Sequence, residues 1–220
     1  MAHLLTRYVG SLHRRASYRF SAKGKEPENI AEVLKYYRPE SLEKLCRKTK
    51  FTKKEIQHFY QNFKQQFPKG AINQEDFKSI FAQIFLSGRP EKYADMVFAT
   101  LNKDNLGLIN FETLLIFIST VSRGSKEENY EWIFHLYDIN RDGFVTKNEI
   151  LDVAIAIYYL QNPVLNPPTI TRIIAHVDNI FKKMDTKSYG AVNREEFIEF
   201  CNDKKWDILE SIEFLKTNYI

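Results

Sequence analysis

Between Asp138 and Glu149 the chain reads Asp-Ile-Asn-Arg-Asp-Gly-Phe-Val-Thr-Lys-Asn-Glu. Oxygen-bearing side chains stand at loop positions 1, 3 and 5 (Asp138, Asn140, Asp142), at 9 (Thr146) and at 12 (Glu149). Gly143 at position 6 suits a sharp turn, and Phe144 at position 7 offers its main-chain carbonyl. A hard cation that takes six to eight oxygens fits this spacing, and calcium is that cation. The carboxylate at position 12 binds with both oxygens, and Thr146 acts through water. Three carboxylates and one amide place the site in the sensor range, roughly 10⁻⁷ to 10⁻⁵ M. The alternative is an acidic turn with no ligand.

Three further segments repeat the outline with different chemistry. In Asp185–Glu196 both ends are kept, but Lys187 and Tyr189 occupy positions 3 and 5. An ammonium repels a cation and donates where an acceptor is needed, so little or no calcium is expected there. Lys187 is expected either to pair with Asp185 or Glu196 and hold the loop closed, or to be simply solvated. Asn102–Thr113 has Asp104 but Leu106 at position 5 and Thr113 at 12. Gln65–Asp76 has Phe67 and Lys69 at 3 and 5. Both should be inert to calcium. One competent site of four is expected.

The elements that position these loops are helices. The hydrophobic eighth positions Ile72, Ile109, Val145 and Val192 are separated by 37, 36 and 47 residues, the last interval lengthened by the connector Gln161–Ile170. Such regular spacing marks an internal repeat. Thr52–Glu55, Ser125–Glu128 and Thr146–Glu149 have the capping-box pattern of helix starts. Phe77, Phe81 and Phe85 recur on one helical face, as do Ile133, Leu136 and Tyr137. Pro90 and Pro168 suit a first helical turn. The unit is helix, 12-residue loop, helix, used four times. Pairing through the eighth position joins Ile72 to Ile109 and Val145 to Val192, with Arg123–Gly124 as the hinge between pairs.

Composition agrees with a globular regulatory chain. The 220 residues are 44% apolar and 27% charged, with 8 Gly and 7 Pro, which excludes collagen-like and disordered classes. Cys46 and Cys201 lie in no disulfide framework or metal-type spacing, so a reducing compartment is the default. Six of the 32 basic residues lie in residues 1–25, which hold no Asp or Glu. The remainder carries 26 basic against 28 acidic residues, a net −2. The positive charge belongs to an N-terminal arm, and no nucleic-acid partner is expected. No nucleophile–base ordering, nucleotide loop or zinc motif appears, and His3, His13, His58, His135 and His176 are scattered, so no enzyme is expected.

The pattern resembles the neuronal calcium sensor family, whose first hand is defective. The resemblance runs from about Tyr37 to about Leu215. It rests on Phe51-Thr52-Lys53-Lys54-Glu55, on Pro68 and Gly70 of the first loop, and on Leu136-Tyr137-Asp138-Ile139-Asn140. Arg38-Pro39-Glu40-Ser41-Leu42 is most similar to the Kv channel-interacting branch, although Lys187 and Tyr189 depart from its fourth loop and Phe67 from its first. The resemblance implies an all-α, recoverin-like fold of four EF-hands in two pairs, each pair with a short two-stranded β-bridge. It implies calcium as the ion, bound by Asp138, Asn140, Asp142, Phe144 and Glu149. It also implies a hydrophobic groove that takes an amphipathic helix, here the cytoplasmic N-terminal segment of a Shal-type voltage-gated potassium channel. The alternative is a soluble sensor regulating an enzyme or receptor kinase.

Phe59, Phe63, Phe81, Phe85, Phe98, Phe117 and Trp132 could line such a groove, core packing being the alternative for each. Trp206–Leu215 reads as an amphipathic helix able to cover it. The expected division is a basic arm over 1–36, a first hand pair over 37–123 with both loops degenerate, and a second over 124–220 with a C-terminal helix. Ala2 and the lack of a nearby cysteine exclude N-terminal myristoylation and palmitoylation. Leu5, Val9, Leu12 and Ala16 form one face of a basic helix. That suits an anionic membrane surface contacted through residues 1–25. A mitochondrial transit peptide over residues 1–20 and a tail without a role stay open. Arg14-Arg15-Ala16-Ser17 matches a basophilic kinase site. The expected location is cytoplasmic, peripheral at the plasma membrane when partner-bound.

Overall fold

Side chains that satisfy free backbone N–H groups fix where most of the helices start. The structure is a computed structural model and describes residues 40–203. Ser41 caps α1 (Leu42–Lys48). Thr52 and Glu55 form the expected capping box at α2 (Lys53–Gln66). After β1 (Ala71–Asn73), Asn73 Oδ1 accepts from Asp76 N at the start of α3 (Gln74–Ile84). Then come α4 (Glu91–Leu101), β2 (Leu108–Asn110) and α5 (Phe111–Arg123), the last capped by Asn110. α6 (Lys126–Tyr137), β3 (Phe144–Thr146) and α7 (Lys147–Tyr159) follow, with a second capping box from Thr146 and Glu149. α8 (Pro167–Met184) starts on Asn166 with prolines in its first turn, and β4 (Ala191–Asn193) leads into α9 (Arg194–Asn202).

The fold is all-α, with helix–loop–helix hands joined in pairs as the repeat requires. β1 pairs antiparallel with β2 through Ile72 and Ile109, and β3 with β4 through Val145 and Val192. All four residues are fully buried. These are the pairings that the eighth-position spacing predicts.

By packing, the described residues fall into two units. Residues up to Ile84 group with Phe98–Ser125, and Phe85–Val97 group with Lys126 onward. The sequence division at 123/124 does not separate the Phe85–Val97 segment. Arg89 N donates to Tyr159 O at 2.6 Å, Lys92 meets Asp152 at 2.7 Å, and Tyr93, Ala94 and Val97 are buried. Gly88 allows the close approach, because a Cβ there would meet the Leu160 carbonyl oxygen at 2.2 Å.

The first unit is built on aromatic rings. Phe77 packs on Phe81 and Phe98, and Phe63 on Phe67 and Phe111. Arg123 joins the end of α5 to the start of α2. Its guanidinium lies 4.6 Å from the Phe51 ring centroid, donates to Lys50 O at 3.0 Å and pairs with Glu55 at 2.5 Å. Hydrogen bonding from Arg123, helped by the Thr52 N–H, holds the Glu55 carboxyl down at about 2. A depressed carboxyl stabilises the fold above its unfolded value of 4.5 and loses that contribution as pH falls towards 2. In acid titrations followed by circular dichroism, the stability gap between wild type and Glu55→Gln should therefore close over that window. A constant gap would show that the pair contributes nothing.

In the second unit Phe197 is 1% exposed and sets its ring against Phe134 and Tyr137, centroids 5.5 and 6.1 Å away. Phe197→Ala should destabilise this unit by about 3–5 kcal/mol, read as a lowered thermal midpoint. A loss below about 1 kcal/mol would mean that the site collapses freely around the cavity.

Candidate metal centre

Three of the four loops share one backbone course, whatever their ligands. Position 4 is left-handed in each: Asn105 at φ 55°, Arg141 at 60° and Ser188 at 58°. Position 6 is glycine, with φ of 72° at Gly107, 86° at Gly143 and 78° at Gly190. A Cβ on any of these glycines would meet nothing within 4 Å, so glycine is needed for its φ and not for space. The residue at position 1 ties the turn down. Asp138 accepts from Asp142 N and Gly143 N, both at 3.1 Å. Asp185 accepts from Tyr189 N and Gly190 N at 2.9 and 2.8 Å, and Asn102 from Gly107 N at 3.0 Å.

In the third loop the sequence-derived ligand oxygens accept from N–H groups of the loop itself. Asn140 Oδ1 accepts from Asp142 N at 3.0 Å, and Asp142 Oδ1 from Phe144 N at 2.8 Å. Glu149, in the first turn of α7, has one oxygen facing each side of the loop. Its Oε1 accepts from Ile139 N at 3.1 Å and Asn140 N at 3.4 Å. Its Oε2 accepts from Thr146 N and Thr146 Oγ1, both at 2.8 Å. The side chain at position 12 is thus also the third residue of a capping box. Val145, buried against Val192, anchors the far side of the loop. Here the carboxylates are turned onto loop N–H groups. Among the described residues no cluster of three His, Cys, Asp or Glu side chains of the kind that holds a metal is formed. The donor set still fits calcium, because it is all oxygen and includes an amide and a main-chain carbonyl beside the carboxylates.

Residues 127–202 match the family model of an EF-hand domain pair. The second unit thus carries an EF-hand domain pair, and calcium is the ion that such domains bind. The match spans both the third and the fourth loop.

The fourth loop of this EF-hand pair keeps the backbone course and replaces the chemistry. Lys187 Nζ lies 2.7 Å from Glu196 Oε1. Of the two partners expected for Lys187, Glu196 is the one observed. Hydrogen bonding between the two lowers the Glu196 carboxyl and raises the Lys187 amine relative to their ordinary values. Glu196 Oε2 meanwhile accepts from Asn193 N at 3.1 Å, so it also closes a capping box. Across the unit, Arg194 forms a two-pronged pair with Glu131 of α6, at 2.8 and 2.6 Å.

The first two loops are held without a carboxylate cage. In the second, Asp104 Oδ1 accepts from Leu106 N at 3.3 Å, and Thr113 at position 12 only donates its N–H to Asn110. The first loop departs from the others. α2 runs through Gln65 and Gln66, the two residues assigned to its opening positions. Pro68 occupies position 4, where a proline ring forbids the left-handed turn. Lys64 Nζ donates to Pro68 O, and Gly70 N to Phe67 O.

Of the seven aromatics considered for a groove, Phe63, Phe81, Phe85, Phe98 and Phe117 are buried in the cores. Phe59 and Trp132 are half-buried. Trp206–Leu215 and the arm over 1–36 lie outside the described residues. Sequence reasoning missed the structural use of position 1 and the left-handed Arg141 and Ser188. The recurrence of Asp or Asn at 102, 138 and 185, five residues before each glycine, was the available signal.

Proposed function

We propose that this chain is a calcium-sensing regulatory subunit with one sensor-class site in its third loop. Asp138, Asn140, Asp142, Glu149 and the Phe144 carbonyl are the ligands, and Thr146 acts through water. The observation that carries this reading is the complete oxygen set on a closed EF-hand loop, against Lys187 bound to Glu196 in the fourth. Resemblance to the Kv channel-interacting branch supports a partner: the cytoplasmic N-terminal segment of a Shal-type voltage-gated potassium channel, bound as an amphipathic helix. The chain would then sit in the cytoplasm and at the plasma membrane when partner-bound. No described helix is long and apolar enough to cross a membrane.

Calorimetric calcium titration with and without a Shal N-terminal peptide tests this. The expected result is one ion per chain at roughly 10⁻⁷ to 10⁻⁵ M, with peptide and calcium changing each other's affinity by the same factor. A calcium response without peptide binding would transfer the reading to a sensor regulating an enzyme or receptor kinase. For the arm, deleting residues 1–25 should abolish binding to anionic vesicles and leave calcium affinity unchanged. Equal vesicle binding by the truncated chain would move the membrane contact elsewhere.

A further inference from the structure

The third and fourth loops are superficially one competent and one failed site, yet both are closed in the same way. Both have an aspartate at position 1 accepting from positions 5 and 6, a left-handed position 4, a glycine at 6, and a glutamate at 12 in a capping box. A glutamate at position 12 faces an aspartate at position 1 across the loop, and like charges so placed push the loop open. In the fourth loop Asp185 does raise the cost of ionising Glu196, and Lys187 more than offsets it. Both oxygens of Asp185 accept from N–H groups of the loop and Glu196 Oε2 from Asn193 N, while Glu196 Oε1 faces the ammonium at 2.7 Å. The Glu196 side chain is 14% exposed, so its charge needs a partner more than a surface carboxylate does.

We propose that the Lys187 ammonium is a built-in counter-ion that takes in the fourth loop the neutralising role calcium takes in the third. It reaches from position 3 to the closing glutamate and keeps β4 formed opposite β3 without metal. Because Val145 and Val192 are paired, the third loop then binds its ion against a strand already in place. Lys187 is in this sense a positioning residue for the neighbouring site. The effect on affinity rests on the calcium reading of the third loop; the metal-free clamp does not.

The test uses the full-length chain and the double variant Lys187→Gln/Glu196→Gln. That variant removes the ion pair, preserves net charge, and keeps an acceptor for Asn193 N. In calcium-free buffer with chelator, amide exchange at Tyr189 and Gly190 should become about two- to fivefold faster, the scale of one partly exposed ion pair. Exchange at Ile72 should not change. Calcium affinity of the third loop should fall by about the same factor, with stoichiometry unchanged, and Lys187→Arg should keep wild-type exchange. Unaltered exchange at Tyr189 and Gly190 in the double variant overturns the proposal, as would two calcium ions bound by the wild type. If the wild type binds no calcium while the exchange still accelerates, the functional reading fails and the clamp stands.

Discussion

Glu149→Gln should abolish calcium binding at micromolar free calcium while leaving the calcium-free fold intact. Glu149 works on both sides of its loop, taking Ile139 and Asn140 N–H groups on one oxygen and Thr146 on the other. Glutamine has one acceptor oxygen, so it can keep the cap or face the opening residues of the loop, and it brings no charge to either. Calcium loses both its closing bidentate ligand and one of three carboxylates. Calorimetry reads the loss, Trp132 fluorescence reports any remaining calcium response, and circular dichroism of the metal-free variant checks the fold. Retained affinity in the sensor range would remove the third loop as the site.

The second large effect is a gain. Lys187→Asp combined with Tyr189→Asn would place a carboxylate at position 3 and an amide at position 5 of a loop whose backbone already has the calcium-loop course. Asp185 and Glu196 supply the ends, so the oxygen set becomes as complete as that of the third loop. Calorimetry should then count two ions per chain. Their binding should be cooperative, because β3 and β4 are paired through Val145 and Val192 and each loop orders the other's strand. One ion per chain in this variant would mean that something beyond Lys187 and Tyr189 bars the metal. Two ions with no coupling would mean that the β-bridge is equally set with and without calcium.

Much of this molecule could be read before it was folded. The alternating oxygens of Asp138–Glu149 are local chemistry, a fixed few residues apart on a single loop; how far they converge is set by the loop N–H groups that now hold them. The capping boxes at Thr52 and Thr146 are equally local, each spanning four residues. The pairing of Ile72 with Ile109 and of Val145 with Val192 is not local. It was still legible, because a repeated hydrophobic position has a symmetric counterpart in the next repeat and little else to pair with.

Other features were decided only by the tertiary structure. The sequence leaves Lys187 a choice of Asp185, Glu196 or water. The fold turns the Asp185 oxygens onto the Tyr189 and Gly190 N–H groups and brings Glu196 Oε1 to the ammonium. Tyr93, Ala94 and Val97 are buried, but hydrophobic burial has no address in the sequence. Their grouping with the second unit depends on Gly88 admitting the Leu160 carbonyl and on Arg89 N reaching Tyr159 O. The same holds for the aromatics that a groove would need. Helical phase shows that Phe77, Phe81 and Phe85 share an apolar face. Whether such a face meets a partner or a core is settled by the other elements, and here the core has them.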